Sequence, residues 1–136
     1  MKRITLTLAA LAALVLAAPA YALVPINEEP TINNTLLQGF IGDAIDDNCS
    51  TIEARKLRAL GELNKLRDYA LAQGYSSAEV REFVTNKEEK ARGKALAAEW
   101  LKERGAEPGN EAAYCKIGEE EIAKESLIGY LLRSTK

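Results

Sequence analysis

The sequence predicts an all-α fold, a small bundle of four to five helices with one disulfide. Three observations lead there. Apolar residues recur at helical spacing along most of the chain, and no run alternates as a half-buried strand would. Aromatics make up only 6% of the 136 residues, so the core must be built from Leu, Ile and Ala, a composition that favours packed helices over a sheet. Two cysteines, Cys49 and Cys115, are placed to pair across the domain.

The first 22 residues read as a signal peptide. Lys2 and Arg3 give a basic start, Ile4 to Ala18 carries no charge, and Ala20-Tyr21-Ala22 ends the segment with small residues. Cleavage is expected after Ala22, which predicts a periplasmic or secreted protein. The apolar run is shorter than the roughly 20 residues of a membrane span. No Cys follows the cleavage point to accept a lipid, and no transmembrane segment is expected in the mature chain. In an oxidising compartment the two thiols of a small domain pair, so Cys49–Cys115 is expected as a structural disulfide. The alternative, a redox-active pair, lacks a C-x-x-C motif and an activating neighbour.

Residues 23–34, with Pro25 and Pro30, read as an extended lead-in, and residues 35–136 as a single helical domain. Asn33 or Asn34 is expected to cap a first helix from Thr35 to Asp46, with Leu36, Leu37, Phe40, Ile41, Ala44 and Ile45 on one stripe. Ser50-Thr51-Ile52-Glu53 has the form of a capping box, predicting a second helix from Thr51 to Gln73. Its buried face would be Leu57, Leu60, Leu63, Leu66, Ala70 and Leu71, and its length would make it the backbone of the bundle. Gly74 would end it in a Schellman stop with Tyr75 folding back. Ser76-Ser77-Ala78-Glu79 opens a short third helix to Thr85, with Val80, Phe83 and Val84 inward. Asn86 opens a fourth, Lys87 to Arg104, with a stripe of Ala91, Ala95, Leu96, Ala98, Trp100 and Leu101. After the turn at Glu107-Pro108-Gly109-Asn110, a last helix is expected from Glu111 to Arg133 with a bend near Ser126.

Charge is unevenly spread. Residues 23–54 hold six acids and no base, whereas residues 55–104 hold twelve bases and eight acids. Either the two parts lie against each other or the basic centre meets an anionic partner. Arg55, Lys56 and Arg58 crowd the start of the second helix, the wrong end of its dipole for positive charge. Pairing with Asp46, Asp47 and Glu62 is one explanation; a patch for an anion or a partner is the other. Gly61, Gly93, Gly118 and Gly129 lie inside helices, where Gly costs about 1 kcal/mol relative to Ala. Close helix contact, or the approach of a ligand or partner helix, would account for them.

The sequence contains no His, which removes the Ser-His-Asp and Cys-His arrangements and most zinc sites. A carboxylate pair drawn from Asp46, Asp47 and Glu119 to Glu121 is the remaining catalytic option, but those acids read as capping, pairing or exposed helix surface. No catalytic residue, metal or cofactor is expected. The low net charge of an exported chain argues against nucleic acid as a partner.

Ile41-Gly42-Asp43-Ala44-Ile45 with Asp47-Asn48-Cys49, then Gly74-Tyr75-Ser76 and Glu89-Lys90-Ala91-Arg92, form one set of notable segments. Tyr114-Cys115-Lys116-Ile117-Gly118, Glu121-Ile122-Ala123 and Ile128-Gly129-Tyr130-Leu131-Leu132 form the other. Together they resemble a family of small exported proteins of Gram-negative bacteria known only as a domain of unknown function. The resemblance runs from about Thr35 to Arg133, implies a periplasmic helical domain and supports the disulfide. It carries no activity or ligand with it. The expectation is a non-catalytic interaction module with a protein partner in the periplasm. A small stress chaperone is the alternative, and a carboxylate hydrolase stands behind both.

Overall fold

Pro30, expected from sequence as part of an extended arm, instead starts the first helix. Its fixed φ suits the first helical position, where its missing N–H would have no partner in any case. The computed structural model describes residues 22–136; residues 1–21, which hold nearly all of the expected leader, lie outside the described part. A 3₁₀ turn at Ile26–Glu28 leads into α1, Pro30–Asn48. Glu29, not Asn33 or Asn34, caps α1: its carboxylate accepts from Ile32 N at 2.6 Å and from Tyr69 Oη at 3.1 Å. Asn33 sits inside the helix and turns its amide back to the carbonyls of Ile26 and Glu29.

The expected Ser50–Glu53 capping box does not form. Ser50 reaches across the disulfide instead, donating from N (2.8 Å) and Oγ (2.5 Å) to the Glu111 carboxylate, which holds that acid below its ordinary pKa. The next residues form β1, Ile52–Ala54, and α2 starts only at Lys56, running to Gln73. α2 ends as expected: Gly74 is left-handed, its N–H goes to Leu71 O, and Tyr75 N returns to Ala70 O. α3, Ser77–Thr85, has the predicted reciprocal capping box of Ser76 and Glu79. α4, Lys87–Lys102, is capped by Asn86. α5, Glu111–Ala123, is followed by a break rather than a bend, with Glu125 at positive φ and Ser126 capping the short α6, Leu127–Tyr130.

The chain then closes with β2, Leu132–Ser134, antiparallel to β1 in the register Ile52↔Ser134, Glu53↔Arg133 and Ala54↔Leu132. Ile52 and Leu132 point into the core while Glu53 and Arg133 form an ion pair on the solvent side. The described residues are thus helical with one small two-stranded sheet, an addition to the all-α expectation. The disulfide is present: Cys49 and Cys115 are bonded, with Cα atoms 5.2 Å apart. It joins the residue after α1 to the second turn of α5, and β1 pairs with β2 beside it.

Two apolar clusters share α1. The larger gathers Ile41 and Ile45 with Ile52, Leu101, Tyr114, Ile117, Ile128 and Leu132. The smaller gathers Ile32 with Ala70 and Tyr75, and Leu66, Tyr69, Val80 and Phe83 pack against it. α1, not α2, is therefore the spine. The expected buried face of α2 is largely solvent-facing: Leu57 is 86% exposed, Leu60 56% and Leu63 49%, and among its residues only Ala70 is fully buried. On α4 the buried residues are Ala97 and Leu101, while Ala91, Ala95, Leu96 and Ala98 face out. Val84 is exposed too. Glu121, expected on an open acidic face with Glu119 and Glu120, is buried and paired with Lys124 at 3.1 Å.

The helix-interior glycines divide into two groups. A Cβ at Gly118 would collide with Ile52 and Ile45, one at Gly129 with the Glu121 carbonyl, and one at Gly93 with the Phe40 ring. Gly39 and Gly61 have no atom within 4 Å of that position.

Loss of the disulfide in Cys49→Ser/Cys115→Ser should lower stability by about 4 kcal/mol, the chain-entropy value for a loop of this size. Denaturant melts of the oxidised, reduced and double-Ser forms measure it, and coincident midpoints would contradict it. Gly118→Ala should lose about 1–3 kcal/mol by overpacking, whereas Gly61→Ala should gain about 0.5–1 kcal/mol from helix propensity. Equal effects in thermal unfolding would show that the two glycines do not differ in this way.

Candidate functional site

Where α1 passes from the smaller cluster to the larger, the packing leaves an opening. Leu36 belongs to the rim of one cluster and Phe40 to the rim of the other, and Gly39 between them contributes no side chain. α2 is fastened at its two ends. Its start is held by Arg55 N to Leu131 O at 2.7 Å and by Arg58, whose guanidinium lies 4.4 Å from the Tyr130 ring centroid and donates to Tyr130 O. Its far end is held by Tyr69, Ala70 and Tyr75. The middle of α2 stands off α1, and a groove of about 280 Å³ remains between them.

Thr35, Leu36, Gly39, Phe40 and Asp43 form the α1 wall, at spacings that put them on one helix face. Ala59, Glu62 and Leu63 come from α2, Phe83 and Val84 from α3, and Glu89 and Lys90 from the first turn of α4. A second depression of about 230 Å³ shares Leu36, Phe40, Phe83 and Glu89 and continues towards Gly93 and Leu96. Floor and walls are mainly apolar. A wider depression near Lys116 is lined mostly by charged helix surface, and another near Glu103 mixes charged residues with Ala98, Ala106, Pro108 and Tyr114.

The rim carries three acids and one base. Glu62 pairs with Lys65 at 2.8 Å and Glu89 with Arg92 at 2.8 Å. Asp43 has no ion-pair partner within 4.0 Å among the described residues. Though its surface is open to solvent, the protein packed around it raises its carboxyl above the ordinary 3.8. Lys56 and Lys94 pull it down, and Asp47 and Asp46 push it up. An apolar slot with one unpaired carboxylate at its mouth suits a ligand that is apolar along its length and cationic at one point.

The basic residues singled out from sequence lie together, and Lys56 and Arg58 have side-chain partners. Arg55, Lys56, Leu57, Arg58 and Arg133 line a shallow depression at the start of α2. Lys56 approaches Asp46 at 3.8 Å, Arg58 is on Tyr130, and Arg133 is on Glu53. Of the expected pairings of Arg55, Lys56 and Arg58 with Asp46, Asp47 and Glu62, Lys56 with Asp46 is the one found among the described residues, because β1 separates α1 from α2 and places Lys56 nearest. Donor atoms of Cys49, Glu111 and Cys115 lie within 4.8 Å of one another, but the two sulfurs are bonded to each other and offer no thiolate to a metal. The acids that the sequence offers for catalysis are dispersed: Asp46 faces Lys56, Glu119 binds Ser134 and Lys136, Glu120 lies near Lys116, and Glu121 is buried.

Sequence reasoning misses the groove, although Gly39 inside a helix is a visible sign of it. No helix among the described residues is long and apolar enough to cross a membrane. No curated protein and no solved structure matches the chain. One family model does, over residues 24–133, almost the whole of the chain beyond the expected leader, and the protein belongs to that family of unknown function, DUF5333.

Proposed function

We propose that this protein is an exported, non-catalytic interaction module that holds an apolar protein segment, bearing one Lys or Arg, in the groove between α1 and α2. The observation that carries it is the apolar slot around Gly39 with the unpaired Asp43 at its edge. A preformed slot of this kind needs no rearrangement to bind, and Asp43, its one unpaired carboxylate, gives orientation and selectivity. The absence of His and the oxidised state of both cysteines support a role without catalysis. Leu57 and Leu60 are exposed without any trigger, which favours constitutive binding over a chaperone that uncovers its apolar faces under stress.

Export is part of the proposal. The leader pattern supports it, and so does the point at which the chain joins the fold. Leu23 lies over Gly74, Val24 O accepts from Tyr75 Oη at 2.6 Å, and the family match begins at residue 24. Mass spectrometry of the protein from a periplasmic fraction should find a chain starting at Leu23; retention of Met1 in a cytoplasmic fraction would refute export.

Two substitutions test the groove. Gly39→Leu places a side chain in open space and removes a helix glycine, so the fold should melt no lower than before. A fluorescein-labelled peptide of Leu and Lys should lose at least about tenfold in affinity to it, as expected when a central contact is blocked. A Leu and Glu peptide should bind neither form well.

Asp43→Asn separates stability from binding. Because the folded state holds the Asp43 proton above the range in which the unfolded chain releases it, ionisation of this group lowers stability as pH rises through that window. The Asn variant should therefore melt higher than wild type at neutral pH, with the difference vanishing below 3.8. Its affinity for the Leu and Lys peptide should fall, because the bound cation interacts with the ionised carboxylate. Full peptide affinity in both variants would refute the groove as the site.

A further inference from the structure

The groove between α1 and α2 is walled by helices alone. None of the residues lining it belongs to β1 or β2. At the start of α4, where a helix has free donors, the N–H groups of Glu89 and Lys90 are taken by Asn86. An extended segment pressed into this slot would lose water from its own N–H and C=O groups and find no strand edge to replace it. A helix arrives with its backbone already paired, and needs only side-chain contacts from the walls.

The relief of the α1 wall fits the same occupant. Thr35, Gly39 and Asp43 stand four residues apart in one row, and the next row carries the bulky Leu36 and Phe40. No atom lies within 4 Å of the place a side chain would take at Gly39, so the row is lowest at its centre. Across the groove, α2 presents Ala59 and Leu63, again four apart. Helices most often pack by laying an i, i+4 ridge of one into such a row of the other. Charge complements shape: Asp43 closes the row, and it is the rim acid without an ion-pair partner among the described residues, since Glu62 and Glu89 are held by Lys65 and Arg92.

We infer that the segment held in the groove is an α-helix of the partner protein, whose ridge carries two apolar residues four apart and a Lys or Arg four further on. This assignment rests on the groove being the binding site and adds the form of its occupant. The two apolar side chains seat beside Thr35 and Gly39, between Leu36 and Phe40 on one side and Ala59 and Leu63 on the other. The cation then meets Asp43. The adjoining depression towards Gly93 and Leu96 takes an apolar side chain from the neighbouring row of the same helix.

Fluorescence polarisation with labelled synthetic peptides tests it on the oxidised exported form. A lactam-bridged helical peptide with Leu, Leu and Lys at every fourth position should bind at least about tenfold tighter than an unbridged peptide of equal composition with Leu and Lys at alternate positions. A Pro at its centre should cost at least about tenfold. The unbridged, helix-spaced peptide is too short to hold a helix alone and should gain a far-UV helix signal when mixed with the protein. Gly39→Ala adds a methyl group in open space and should melt no lower, yet it should weaken the bridged peptide at least about fivefold by blocking close approach. Equal binding of the alternating or Pro peptide, no gain of helix signal, or an indifferent Gly39→Ala would overturn the helix and leave the groove standing. Failure of helical and alternating peptides alike would overturn both.

Discussion

Joining Cys49 to Cys115 sets the end of α1 against the start of α5, and most of the architecture depends on that closure. The two cysteines stand 66 positions apart in sequence, a span occupied by β1, α2, α3 and α4. With the ends of that span held together, Ile52–Ala54 lies where Leu132–Ser134 can pair with it. The Ser50–Glu111 hydrogen bonds and the Ile52–Gly118 contact repeat the attachment beside the sulfurs. Chain entropy makes such a cross-link valuable in a domain whose total stability is only about 5–15 kcal/mol.

α1 then serves two cores rather than one. Its first turns pack with the ends of α2 and α3, and its last turns pack with α4, α5, α6 and β1. A helix that joins two separate clusters leaves a seam between them, and Gly39 lies at that seam. The groove is thus a consequence of how the core is divided, not an added feature. The same division leaves α2 anchored at its ends and lightly held along its length, with leucines on both its inner and outer faces.

Local signals are legible where the interaction they describe is itself local. Ser76 with Glu79, Asn86 with the amide of Glu89, and Gly74 with Ala70 and Leu71 all operate within a few residues, and all are found. The same reasoning fails at Ser50 and Glu53, where the side chains have stronger partners far away in Glu111 and Arg133. Pro30 and Glu29 mislead because a proline that starts a helix and one that interrupts a chain look alike without the cap geometry. The leucines of α2 mislead because helical spacing identifies a face but not whether anything covers it. Asp43 stands out in sequence only as one of several acids, since its raised pKa arises mainly from the protein packed around it.

The amino-acid sequence by itself determined the helical character, most helix ends and the pairing of the only two cysteines. These depend on propensity, on contacts a few residues long and on residue count. The strand pair, the choice of α1 as spine, the burial of Glu121 and the position of the groove were decided only by the tertiary structure. Each depends on which distant segments meet. A three-residue strand pairing that joins Glu53 to Arg133, 80 positions away, leaves no periodic trace for a linear reading to find.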